Sequence, residues 1–171
     1  PLEFLFRLGR RQCMKICEKT KKRRIELGLT ESDISSRVGL TRSEYSDIEL
    51  HEDELYTVTD LCRVKKICEI LGFDLLELLE QKCVFCEEGV SLAEVFLLPL
   101  NELIANRRRE MGISMDELGE RVGFYKAEIE NLEKNLTHLE TWPIDYIKDL
   151  ATAIDVPIQI LINVKCSKCG N

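Results

Sequence analysis

Lys22-Arg-Arg-Ile-Glu-Leu-Gly28-Leu-Thr-Glu-Ser-Asp-Ile-Ser-Ser-Arg-Val-Gly39 has a second version in the same chain, Asn106-Arg-Arg-Arg-Glu-Met-Gly112-Ile-Ser-Met-Asp-Glu-Leu-Gly-Glu-Arg-Val-Gly123. Gly28 pairs with Gly112, Thr30 with Ser114, Ile34 with Leu118, Arg37 with Arg121, Val38 with Val122 and Gly39 with Gly123, always 84 residues apart. The register continues through Ile48 and Glu49, opposite Leu132 and Glu133. Beyond a one-residue deletion in the following loop it becomes 83, pairing Ile67 with Leu150, Leu71 with Ile154 and Phe73 with Val156. At that spacing Cys83 falls on Cys166 and Cys86 on Cys169. A repeat that carries its own cysteine pair marks a duplicated structural unit.

Each unit reads as helical. Apolar residues recur at helical spacing, and only four prolines and nine glycines interrupt 171 residues. A first helix is expected from Arg11 to Leu27, stopped by Gly28. Thr30 and Ser114 stand three residues before Asp33 and Glu117, the spacing of a capping box, and so start the second helix. Third helices begin near Thr41 and Tyr125, fourth helices cover 60–71 and 144–154, and short fifth helices cover 75–80 and 158–162. The expected architecture is all-α: two tandem five-helix units, 11–86 and 97–171, an N-terminal extension at 1–10 and a linker at 87–96.

Within residues 31–49, Ile34, Val38, Tyr45 and Ile48 supply buried positions, Ser35 is small where two helices cross, and Gly39 makes the turn. Leu118, Gly119, Val122, Gly123, Ile129 and Leu132 repeat the scheme. With the closing glutamates Glu49 and Glu133, this pattern resembles the lambda-repressor-like (Xre-type) helix-turn-helix family over about 11–82 and 97–164. The resemblance implies a transcriptional regulator whose third helix enters the major groove of double-stranded DNA. Carried over position by position, the base-facing candidates are Thr41, Arg42, Ser43, Ser46 and Asp47, with counterparts Tyr125, Lys126, Ala127, Glu130 and Asn131. Arg42 suits guanine and Asn131 adenine. Lys22, Arg23 and Arg24 are the expected phosphate contacts, with the first unit favoured. The chain departs from the family at Glu31 and Met115, where glutamine is common, and Asp47 and Glu130 place negative charge on the groove side.

Lys82-Cys-Val-Phe-Cys86 and Lys165-Cys-Ser-Lys-Cys169 are two Cys-x-x-Cys knuckles. Four thiolates suit one tetrahedral zinc, and two like units about an approximate twofold would bring Cys83, Cys86, Cys166 and Cys169 together as a structural clasp. Unliganded thiols are the plainer alternative. Redox use is the weaker one, since the strand and helix context of thioredoxin-like chemistry is missing. Cys13, Cys17, Cys62 and Cys68 read as small core residues.

The net charge of −7 argues against a generally basic surface, yet nine basic residues lie between Arg7 and Arg24 against the single acid Glu18. A polyanion would meet a local face. The acidic balance equally suits a protein-binding antitoxin, immunity protein or adaptor on the same fold. His51 and His138 lie in the loop after the third helices and read as solvated; no catalytic constellation is recognisable, so no enzyme is expected. Free thiols and the want of a long apolar run point to the cytoplasm and no membrane. A homodimer is left open.

Overall fold

The computed structural model describes residues 14–88 and 98–170, and every regular element among them is helical apart from one isolated bridge. Helices α1 (Ile16–Glu26), α2 (Glu31–Val38), α3 (Arg42–Leu50), α4 (Glu54–Thr57), α5 (Leu61–Leu71), α6 (Leu75–Leu78) and α7 (Val84–Glu88) form the first half. The second half holds α8 (Leu100–Glu110), α9 (Met115–Val122), α10 (Lys126–Lys134), a 3-10 helix (His138–Thr141), α11 (Ile144–Ala153) and α12 (Ile158–Ile162). The N-terminal extension, Cys13 and most of the expected linker lie outside the described residues. Helix α7 runs two residues into the range assigned to the linker.

Local sequence sets these elements. The Thr30 hydroxyl accepts from the Asp33 amide and the Asp33 carboxylate accepts from the Thr30 amide; Ser114 and Glu117 do the same for α9. Gly39 and Gly123 close α2 and α9 at φ 73° and 83°, where a side chain would be strained. The left-handed residues recur elsewhere in register too, Gly72 with Asp155 and Glu80 with Asn163. Ile34, Val38, Tyr45 and Ile48 are buried, as are Leu118, Val122, Ile129 and Leu132. At Gly119 an added Cβ would lie 2.5 Å from the Phe124 carbonyl oxygen, so the second helix pair crosses too closely for any side chain.

Two expectations are corrected, the count of five helices per unit and the solvated state of His138. Each half has a further short element in the loop after the third helix, α4 and the 3-10 helix, matching at 84 residues from start to end. Asp60 and Pro143, which precede α5 and α11, match at 83. The single deletion therefore lies between Thr57 and Asp60. His138 is not a solvated loop residue: it is half-buried, its Nε2 lies 2.8 Å from Glu128 Oε2, and its ring meets Trp142 edge-on.

A buried ion pair joins the first and third helices of each half. Arg24 donates from Nε and Nη2 to Glu49 at 2.6 and 2.8 Å and from Nη1 to the Leu29 carbonyl at 2.9 Å. Arg108 repeats all three bonds with Glu133 and Ile113, at 2.5, 3.0 and 3.0 Å. The forked guanidinium fits a carboxylate with two parallel bonds, which a lysine could not match.

Candidate metal centre and nucleic-acid interface

The halves meet through contacts that come in exchanged pairs. Asp60 and Pro143, equivalent positions, form an antiparallel bridge, and the Leu61 amide donates to the Trp142 carbonyl at 2.9 Å. Lys65 Nζ lies 2.6 Å from Glu140 Oε1, while its equivalent Lys148 sits 4.6 Å over the Tyr56 ring, Tyr56 being the counterpart of Glu140. The Val84 amide donates to Gln159 Oε1 at 3.0 Å, and its equivalent, the Ser167 amide, likewise crosses to the other half but to an acceptor at a different position, Asp74 Oδ2, at 3.2 Å. A self-complementary patch meeting its own copy produces this pattern, the hallmark of a twofold. Here both copies belong to one chain.

The knuckles lie on the same axis. Cys83 Sγ is 3.7 Å from Cys169 Sγ, and Cys86 Sγ is 3.8 Å from Cys166 Sγ. All four sulfurs fall within 4.8 Å of one another. A tetrahedron of sulfurs at about 2.3 Å from a central ion has edges of about 3.8 Å. The two short separations match that edge, so the four cysteines could hold a metal ion linking the helical bodies.

The surroundings suit thiolates. Each knuckle turns on a backbone bond, Cys86 N to Cys83 O at 3.1 Å and Gly170 N to Cys166 O at 2.9 Å, and the Lys168 amide points at Cys166 Sγ from 3.4 Å. Buried Gln159 on α12 directs Nε2 at Cys83 Sγ from 3.5 Å. Burial opposes ionisation of Cys83, but hydrogen bonds from the Cys86 backbone, the Gln159 amide and the Cys166 and Cys169 thiols outweigh it and bring the thiol down to about 6. Cys86, hydrogen-bonded to Cys169 and Cys83, is pushed up to about 12. The thiols titrate as one coupled set. Gln159 and Asp74 escaped the sequence because each serves the opposite half's knuckle. Of the remaining cysteines, Cys17 and Cys68 are buried, Cys62 is half-buried, and burial pushes the Cys68 thiol up to about 12.

On the helix-turn-helix face, Thr41, Arg42 and Ser43 are exposed and Ser46 and Asp47 half-buried. Arg42 Nε donates to Glu31 Oε2 at 3.0 Å. Thr41 caps α3 with a box not foreseen, its amide and hydroxyl donating to Glu44 at 2.6 and 2.8 Å. Those bonds, the backbone one first, hold the Glu44 carboxyl below its usual range. In the second half the equivalent Glu128 turns to His138 instead, and Tyr125, 87% exposed, makes no cap. Tyr125, Lys126, Ala127 and Asn131 are exposed, Glu130 is half-buried, and Lys126 lies 3.4 Å from Asp116.

The basic run divides. Lys22 is exposed, 4.0 Å from Glu26. Arg23 is half-buried, donating to the Leu71 carbonyl at 2.9 Å and to Glu26 at 3.3 Å. Arg24 is buried against Glu49 and is corrected from phosphate contact to core ion pair, because its donors are spent inside the fold. Lys15 pairs with Glu52 at 2.8 Å, so both ends of the stretch 15–24 meet the chain at the C-terminal end of α3, away from Thr41.

Over 67 residues the chain is 31% identical to the HTH-type transcriptional regulator SinR of Bacillus licheniformis, a stretch that makes up 39% of this chain and 58% of that protein. The chain thus spans less than two thirds of that relative's length. Neither a protein-family model nor a solved structure matches it. No helix among the described residues is long and apolar enough to cross a membrane.

Proposed function

We propose that the protein is a sequence-specific, double-stranded-DNA-binding transcriptional regulator of the cytoplasm, built from two lambda-repressor-like units at 11–86 and 97–171. One observation carries this reading: the close-packed pair α2–α3, crossing at small Ser35 and turning at Gly39, leaves Thr41, Arg42 and Ser43 on the surface. The partial likeness to a DNA-binding regulator of the same helix type supports it. Arg42 exchanges Glu31 for a guanine edge, Ser43 and Ser46 add shorter contacts, and Lys22 meets phosphate. Zinc is the ion assigned to Cys83, Cys86, Cys166 and Cys169, one per chain; four thiolates leave no open position, so its part is structural.

Gel shifts at two salt concentrations test this. Affinity should fall steeply with salt, Arg42→Ala should relax sequence preference, and Lys22→Ala should weaken all duplexes alike. Absence of sequence preference at low salt would contradict the assignment.

A second reading has its own support. Glu31 and Asp116 already hold the cations of the two third helices, and Glu44 occupies the start of α3. Such a face suits a basic protein partner, as expected of an antitoxin, immunity protein or adaptor. Co-purification with a basic protein, undiminished by nuclease, would favour it.

A further inference from the structure

We propose that one chain alone spans one quasi-palindromic DNA site, α3 reading one half and α10 the other. The inference rests on the DNA-binding reading above. The exchanged pairs Lys65–Glu140 with Lys148–Tyr56 and Cys83–Cys169 with Cys86–Cys166, together with the bridge between the equivalent positions Asp60 and Pro143, fix a twofold inside the chain. Rotation about an axis leaves height along that axis unchanged. Whatever end of the axis α3 occupies, α10 therefore occupies too.

Their separation suits a duplex. The axis passes between Asp60 and Pro143, ten residues beyond Leu50 at the end of α3. Helix α4 fills that interval and packs on both α3 and α11 of the other half. With packed helices about 8–10 Å apart, two such steps let each third helix stand up to about 16–20 Å from the axis, and the two up to about 32–40 Å from each other. Successive major-groove faces on one side of B-DNA repeat at about 34–36 Å. Dimeric regulators reach this geometry with two chains; here the covalent link and the cysteine clasp supply it within one.

The halves of the site must differ in sequence. Position for position, Thr41, Arg42 and Asp47 face Tyr125, Lys126 and Asn131. A chemically unequal pair of readers on a symmetric frame calls for a site with dyad spacing and unlike arms. It also removes the need for a second chain, and with it the steep concentration dependence of dimeric binding.

The test uses the full chain loaded with its metal. A duplex library with a randomised core is selected for binding, and the winning duplex is footprinted with hydroxyl radicals and weighed with protein by native mass spectrometry. One chain per duplex with two protected tracts one helical turn apart is expected. Arg42→Ala should weaken binding roughly tenfold to a hundredfold and relax preference in one tract; Asn131→Ala should do so in the other alone. Both residues are exposed, so the fold should survive either change. Two chains per duplex, or a single protected tract, would overturn the inference while leaving DNA binding intact. Failure to enrich any duplex would overturn the DNA-binding assignment itself.

Discussion

The two halves keep the same turns, the same buried arginine–glutamate pair and the same knuckle, but fill the space around them differently. In the second half Phe124 stacks between Trp142 at 4.3 Å and Tyr146 at 4.5 Å, a cluster that the first half replaces with Leu40, Thr59 and Arg63. In the first half Tyr45 is fully buried where the second has Ile129, with Glu49 beside its hydroxyl. What is common to both halves is therefore what fixes the backbone path and the twofold. Core filler and the start of the third helix are free to diverge.

If the ion pair belongs to the shared skeleton, breaking it should hurt both halves alike. Arg24→Ala and Arg108→Ala should each cost about 3–5 kcal/mol, since each strands a buried glutamate. Denaturant unfolding checks this, and a cost confined to one half would break the equivalence. Trp142→Ala should cost about 3–5 kcal/mol as well, for a different reason: the cavity left in a half that depends on its aromatic cluster. Thr59→Ala, at the matching position, should cost about 1 kcal/mol or less.

The helix crossing separates the halves more finely. Gly119→Ala should destabilise by about 1–3 kcal/mol because its Cβ meets backbone, whereas Ser35→Ala, already carrying a Cβ in the same place, should change stability by less than about 1 kcal/mol. Equal effects would show that the second crossing is no tighter than the first. The smallest effect concerns the third-helix starts. Tyr125→Thr should let α10 acquire the cap that α3 has, raising stability by about 0.5–1 kcal/mol in thermal unfolding.

Sequence made the skeleton legible because duplication printed each constraint twice. Gly39 and Gly123, Thr30 with Asp33, Ser114 with Glu117, and the four cysteines all stand out by recurring, at 84 residues before the deletion and 83 after it, and the structure puts each where that register implies. Arg24 was misjudged for a physical reason. It sits in a run of cations that looks solvated, and nothing local shows that its partner is Glu49, 25 residues on. The recurrence of the same pair as Arg108 and Glu133 was the available signal. Helix α4 and the 3-10 helix were illegible because four-residue elements carry too little periodicity to register. Gln159 and Asp74 were illegible because their partners lie across the twofold.

The proposed clasp requires the two halves to close on one ion, each giving two sulfurs. X-ray absorption at the zinc edge on the purified chain, with metal content measured in parallel, tests it most directly. One zinc per chain with four sulfurs at about 2.3 Å is the predicted result. Nitrogen or oxygen in the first shell, or full zinc content surviving in a Cys166→Ser, Cys169→Ser double variant, would contradict it.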